Sequence, residues 1–295
     1  MSRHALTVER VGPLALLQDL GRPGHAHLGV SPSGAADRGS LRTANRLVGN
    51  ADGALAVEVL AGGLALRASA DVTVAITGAP LPVQVDGRAV EFCAPAFVPA
   101  GSLLRLGMPA TGLRSYLAVR GGLAAEQVFG SASRDTLSGI GPEPLAVGSA
   151  LHVADADPVA ALRSSDVPRL HGASPGGLVV RAVPGPRDDW FGPVGARALT
   201  GVSWTVAGDS DRVGVRLSGP VLERHRHEEL ASEGVLRGAV QVPPSGQPLV
   251  FLADHPTTGG YPVVAVVVEE DCDLLAQARP GEGVRVELVR GPELG

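Results

Sequence analysis

Lysine is absent from this chain: all 25 of its basic residues are arginine. That absence excludes several mechanisms together. A Gly-Lys-Ser/Thr phosphate loop, a Schiff-base amine and a biotin-acceptor side chain each need a primary amine, which a guanidinium cannot supply. Aromatics make up only 3% of residues, so the core has to be built from Val, Leu and Ala. Cys93 and Cys272 are the two cysteines and have no Cys-x-x-Cys spacing, which points to free thiols in a reducing compartment rather than a disulfide. No long hydrophobic run occurs. The apolar stretch at 263–268 is far too short to span a bilayer, and no charged start followed by a long apolar run opens the chain. A cytoplasmic protein without a membrane segment is expected. The formal charge of −5 argues against a nucleic-acid or anionic-membrane partner, both of which attract a basic field.

What the chain does have is 44% apolar content over 295 residues, enough for a sizeable core and a length that favours two domains or one large β domain. Its 40 Gly and 24 Pro imply many turns and few long helices. Short β-rich runs recur at 6–10, 14–18, 72–77, 83–85, 103–106, 115–119, 178–183, 204–206, 239–242, 249–253, 263–268 and 284–289, a pattern of barrels or sandwiches. One helix is expected where Leu41, Ala44, Leu47 and Val48 form a stripe, with Asp37 in its first turn and Gly49-Asn50 as its stop. Two shorter helices are expected at 188–199 and 271–278. The Ser-, Pro- and Gly-rich stretch 164–177 has no periodicity and is the best boundary. The expected organisation is a domain over 1–165, a linker over 166–177 and a second domain over 178–295.

Glycines and charges crowd together in QDLGRPGHAHLGVSPSGAADRGSLRTANRLVGN, residues 18–50. Glycine serves where the backbone takes positive φ or lets another group approach, so the stretch suggests a ligand-holding surface that draws on Asp19, Arg22, Gly24, Ser33, Gly34, Asp37 and Asn45. An Asp-x-x-Arg-x-Gly pattern appears at Asp19, Arg22 and Gly24 and again at Asp209, Arg212 and Gly214, a hint of duplication that chance also explains. Asp254 opens DHPTTGGYP, in which Thr257, Thr258, Gly259 and Gly260 offer hydroxyls and backbone N–H groups to a carboxylate, phosphate or oxyanion, and Tyr261 adds a ring and a hydroxyl. A plain polar hairpin has the same composition. The loop is expected to lie outside the sheet ladder, with Gly259 at positive φ. SYLAVRGGL likewise runs a strand into Arg120, Gly121 and Gly122, where the arginine fork suits a carboxylate or a surface ion pair. The loop GSASRD at 130–135 reads as held by its own hydrogen bonds. Asp19, Asp37, Asp209, Asp211 and Asp254 are the candidate bases. His25, His27, His225 and His227 lack a third ligand at defined spacing, so no metal site is expected.

Taken in order, QDLGRPG, LGVSPSGAADRGSLRTANRLVGN, SYLAVRGGL, GPRDDWF, GDSDRVGVRLSGP, GAVQVPPSGQPLVFLADHPTTGGYP and ARPGEGVRVELV resemble the biotin-dependent carboxyltransferase-like proteins. That family is also known as allophanate hydrolase subunit 2 and as the C subunit of ATP-dependent 5-oxoprolinase. The resemblance implies a mainly β protein of two cyclophilin-like β-barrel domains with a few short helices and a cleft between glycine-rich loops. It implies a hetero-oligomer with a B subunit and a transient encounter with an A subunit. The activity it implies is ATP-dependent, with magnesium: phosphorylation of 5-oxoproline for ring opening to glutamate. Under that reading Arg22, Arg120 and Arg212 hold phosphate or carboxylate, Asp19 and Asp209 handle metal or protons, and Thr257–Gly260 receives the oxyanion. Two other activities are compatible with the resemblance. One is carboxyl transfer to urea or a similar amide from biotin on a partner chain; the other is non-enzymatic binding of a kinase inhibitor that resembles the B subunit. Without lysine the chain cannot run the Ser-Ser-Lys amidase relay that the allophanate hydrolase name suggests.

Overall fold

The computed structural model describes residues 3–154, 177–226 and 228–289. The expected linker at 166–177, except Gly177, lies outside the described residues, as does His227. The chain is mainly β with three α-helices, α1 (Arg38–Leu47), α2 (Gly192–Thr200) and α3 (Glu269–Ala276), among the described residues. It forms two compact units. The first holds the described residues of 3–22, 33–135 and 139–154; the second holds those of 23–32, 136–138, 177–226 and 228–289.

In the first unit two antiparallel sheets enclose one core. The larger has the strand order Leu123–Ala124, Ala150–Val153, Arg3–Arg10, Ala65–Ala68, Leu103–Leu106, Val83–Val85, Arg88–Val90. The smaller runs Leu14–Gln18, Ala56–Leu60, Arg114–Val119, Val72–Gly78, Ala96–Val98. The smaller sheet is buried on both faces. Val57, Val59, Val74, Ile76, Leu117 and Val119 join the core shared with the larger sheet, while Ala56, Ala75, Tyr116 and Ala118 meet Leu41, Ala44 and Val48 of α1. Side chains alternate faces along a strand, so a sheet covered on both sides reads as a continuous apolar run instead of an alternating one. That is why Arg114–Val119 is buried at every position.

Asp37 precedes α1 as its N-cap rather than sitting in its first turn. Its Oδ1 accepts from Ser40 N–H at 2.8 Å and its Oδ2 from the Ser40 hydroxyl at 2.6 Å, which satisfies a donor that the helix itself leaves open. The far end is stopped by Gly49 at φ 76°.

The second unit is a closed barrel. Its strands run Leu178–Pro184, Val263–Val267, Ala239–Gln241, Leu249–Phe251, Gly214–Ser218, Trp204–Val206, Gly283–Leu288 and back to the first. Every pairing is antiparallel except that of Leu178–Pro184 with Gly283–Leu288. Closure removes the free edges on which unpaired N–H groups would invite aggregation. Trp204 is fully buried and donates its indole N–H to the Leu199 carbonyl at 2.9 Å, fixing α2 to the barrel.

Both cysteines are free thiols. Burial pushes the Cys93 thiol up to about 11. Since the thiolate is the nucleophile, a thiol at about 11 is ionised to only about one part in a thousand at pH 8. Native protein treated with iodoacetamide at pH 8 should therefore stay largely unmodified at both cysteines, and denatured protein should take up two labels; mass spectrometry reads the difference.

Candidate functional site

The N-terminal glycine-rich segment is organised in the first unit by a buried carboxylate. Asp19 Oδ1 accepts from Gly21 N–H at 2.7 Å and from the hydroxyls of Ser131 and Ser133 at 2.6 Å each, and Oδ2 accepts from Ala132 N–H at 2.9 Å. Four donors converge on one charge, so Asp19 ties the start of the glycine-rich segment to the GSASRD loop. Arg22 is buried beside it and donates to the Ser133 and Val128 carbonyls. Ser33 and Gly34 follow one another at positive φ, 52° and 93°. A Cβ on Gly34 would stand 2.7 Å from the Leu20 carbonyl carbon, so this glycine is needed for close backbone approach as well as for its dihedral.

Behind the helix N-cap lies a second buried network. Tyr116 Oη donates to Glu58 Oε2 at 2.8 Å and accepts from Asp37 N–H at 2.7 Å, and Glu58 Oε2 also accepts from Ala36 N–H at 3.0 Å. Burial first, then the Glu58 and Asp37 carboxylates, hold the Tyr116 phenol well above its ordinary value, so it remains a donor. Asn45 donates to the Ala54 carbonyl at 2.7 Å and accepts from Asn50 at 3.0 Å; Asn50 in turn accepts from Gly121 N–H at 2.9 Å. This chain of amides locks the end of α1 to the Gly121-Gly122 turn, where both glycines have positive φ. Arg120, at the head of that turn, is exposed and makes no ion pair among the described residues.

In the second unit an expected catalytic carboxylate and an expected ligand-binding arginine hold each other. Arg212 Nε and Nη2 donate to Asp254 Oδ2 and Oδ1 at 2.8 and 3.0 Å, and both side chains are buried. Thr136 adds its N–H and its hydroxyl to Asp254 Oδ2 at 2.8 and 2.7 Å. Asp209 is exposed and forms a surface pair with Arg216 at 3.1 Å, the kind of contact that contributes at most about 1 kcal/mol. Asp211 closes a turn by accepting from Val213 and Gly214 N–H. The two Asp-x-x-Arg-x-Gly segments therefore share buried arginines, while their first aspartates differ: Asp19 is a buried hub and Asp209 is a surface group. Gly24 lies at φ 93°. His25 caps a single 3-10 turn, His27 is exposed, and the exposed His225 donates its backbone N–H to Trp190. No group of three His, Cys, Asp or Glu side chains among the described residues is arranged to hold a metal ion.

The Thr257–Gly260 stretch differs from the loop expected of it. Thr258–Gly259 is a short strand paired with Glu233–Gly234, so its backbone is part of a ladder, and Gly259 is not at positive φ. A Cβ at Gly259 would overlap the Gln241 side-chain nitrogen and would displace that buried amide, which donates to the Tyr261 carbonyl at 2.9 Å. The Thr257 and Thr258 hydroxyls make no hydrogen bond among the described residues. Tyr261 is 44% exposed, and the guanidinium of Arg224 lies over its ring at 5.9 Å from the centroid. Nothing in VLERHRHEEL, with charges at half of its positions, distinguishes Arg224 from its neighbours in the sequence; only the fold places it on Tyr261.

Residues 28–288 match the family model described as carboxyltransferase domain, subdomain A and B. The chain belongs to this family. It is 38% identical to the C subunit of 5-oxoprolinase from Escherichia coli (strain K12) over 95% of its own length and 89% of that protein. Among solved structures, the crystal structure of TTHA0988 superposes with a TM-score of 0.86 at 39% identity, covering 96% of this chain; the chain spans 55% of that one. The Kluyveromyces lactis urea amidolyase superposes with a TM-score of 0.89 at 26% identity, and this chain spans 19% of it. Members of the carboxyltransferase-domain family thus occur both as separately named subunits and within much longer chains. No helix among the described residues is long and apolar enough to cross a membrane.

Proposed function

We propose that this chain is the C subunit of an ATP-dependent 5-oxoprolinase and acts in a complex with a B subunit. The observation that carries the reading is the 38% identity to the Escherichia coli protein of that name over 89% of its length. The lactam carbonyl oxygen attacks the γ-phosphorus of ATP, and ADP leaves. Water then adds to the activated carbon with the help of the A subunit, the ring C–N bond breaks with the nitrogen taking up a proton to give γ-glutamyl phosphate, and a second water hydrolyses that acyl phosphate to glutamate and phosphate. An amide oxygen is a weak nucleophile, so the protein would act through alignment and charge neutralisation.

Of the three arginines considered for the nucleotide, Arg120 fits best, since Arg212 is paired with Asp254 and Arg22 is committed to backbone carbonyls. Magnesium would be held chiefly by the nucleotide phosphates. Arg120→Ala in the complex should raise the KM for ATP by about 10- to 100-fold and leave the melting temperature within a degree or so, since the side chain is exposed.

The reading is tested by copurifying the chain with its partner subunits and measuring glutamate formation from 5-oxoproline with and without ATP. Strictly ATP-dependent turnover supports it; no turnover, or turnover without ATP, rejects it. A second reading, carboxyl transfer from a biotinylated partner to urea, is favoured by the superposition on urea amidolyase. It predicts urea-dependent discharge of a carboxylated biotin carrier by the same preparation.

A further inference from the structure

The two buried arginines of the second unit, among the described residues, have carboxylate partners. Arg212 meets Asp254, and Arg237 meets Glu269 and Asp273. The more exposed Arg187 meets Glu233, and Arg226 meets Asp189. Arg224 is half-buried, and the contacts it makes among the described residues are to neutral groups: Nη2 donates to the Val242 carbonyl, and the guanidinium lies over the Tyr261 ring. Its Nε is buried without an acceptor, and its Nη1 makes no hydrogen bond among the described residues. Burial places the guanidinium below its ordinary value. An arginine withdrawn from water without a countercharge is costly unless an anion completes it.

Its surroundings indicate which anion. Val242 N–H donates to the Pro262 carbonyl, and Gln241 donates to the Tyr261 carbonyl. Arg224 is thereby fixed against the same segment that presents the Thr257 and Thr258 hydroxyls. Arg187 and Arg226 are each paired with a carboxylate, so among these three described arginines only Arg224 offers an unpaired positive charge. One fork beside an aromatic face suits a small planar group bearing one negative charge, whereas a triphosphate would call for several cations.

We propose that Arg224, stacked on Tyr261, anchors the carboxylate of the small amide substrate. The inference rests on the lactam reading above for the identity of that amide, and it extends that reading to a residue outside the glycine-rich motifs. With the carboxylate gripped at Arg224, the Thr257 and Thr258 hydroxyls of the same segment are the candidate partners for the substrate's amide.

The test compares two probes on the full-length chain by calorimetry: 5-oxoproline, and 2-pyrrolidinone, the same lactam without the carboxylate. Wild type should bind 5-oxoproline about 10- to 100-fold more tightly. Arg224→Met keeps an apolar stem on Tyr261 and should abolish that preference, while Arg224→Lys, which keeps the charge without the fork, should restore part of it. In the complex, Arg224→Met should raise the KM for 5-oxoproline and leave the KM for ATP unchanged. Equal binding of the two probes by wild type, an unaltered preference in Arg224→Met, or a change confined to ATP would each overturn the assignment. Should Arg224→Met fail to fold, the Lys variant decides. A wild-type complex that makes no glutamate rejects the lactam reaction, and the two-probe binding comparison still decides the role of Arg224.

Discussion

Asp254→Ala should destabilise the second unit by about 3–5 kcal/mol, the usual cost of stranding one member of a buried ion pair. Asp254 is fully buried and receives two bonds from the Arg212 fork and two from Thr136. Its removal leaves a guanidinium and a threonine facing a cavity that cannot solvate them. Denaturant unfolding of the purified chain, followed by tryptophan fluorescence from Trp190 and Trp204, which both belong to this unit, reads the loss. The double variant Asp254→Leu with Arg212→Met should recover much of the stability, because an apolar pair of similar volume carries no desolvation penalty. If Asp254→Ala keeps wild-type stability and loses only activity, the carboxylate is a proton-handling group and the ion pair is incidental.

Asp19→Ala should be nearly as severe, about 3–4 kcal/mol. Two backbone N–H groups and two serine hydroxyls lose their common acceptor in a buried setting, and each stranded donor costs about 1–3 kcal/mol before relaxation and water entry. Asp19→Asn separates structure from chemistry. An amide keeps one oxygen acceptor and should lose an intermediate amount, about 1–2 kcal/mol; the chain should then still assemble with its partners and turn over at a reduced rate. Full stability with abolished turnover in Asp19→Asn would instead make Asp19 a catalytic carboxylate. Thermal melts and glutamate formation on one preparation distinguish the two.

Much of the fold is legible along the chain. The run 14–18 forms a strand over those five residues, as do 83–85, 103–106 and 204–206. The α1 stripe and its stop at Gly49 are where periodicity puts them. What pattern reading passes over are strands such as Ala56–Leu60, Ala65–Ala68 and Gly214–Ser218. In Ala56–Leu60 a glutamate interrupts the apolar run, and Glu58 is tolerated because Tyr116, Ala36 and Arg114 meet its carboxylate. No local rule reveals those partners, since they lie 22 to 58 residues away.

The candidate site was legible in its residue types more than in their duties. Asp19, Arg22, Asp37, Asn45, Arg212 and Asp254 stand out as polar groups set among glycines, and all six are buried. The sequence does not tell a carboxylate that faces a ligand from one that accepts from Ser131 and Ser133, because both need the same side chain. Arg120 and the Thr257–Thr258 hydroxyls retain free polar capacity among the described residues. Arg224 had no signal at all in the sequence, since its meaning comes from the ring beneath it.

The sequence by itself determined the β character, through short branched runs cut by Gly and Pro, and it determined the family, through motifs spread over nearly the whole chain. It also ruled out every lysine-dependent mechanism, because the chemistry of a primary amine does not depend on how the chain folds. Only the tertiary structure decided that residues 23–32 and 136–138 belong with the second unit, that Arg212 and Asp254 neutralise each other, and that the contacts of Arg224 among the described residues are to neutral groups. Strand formation is governed by side chains a few residues apart, whereas the pairing of a buried charge depends on which distant segment arrives to meet it.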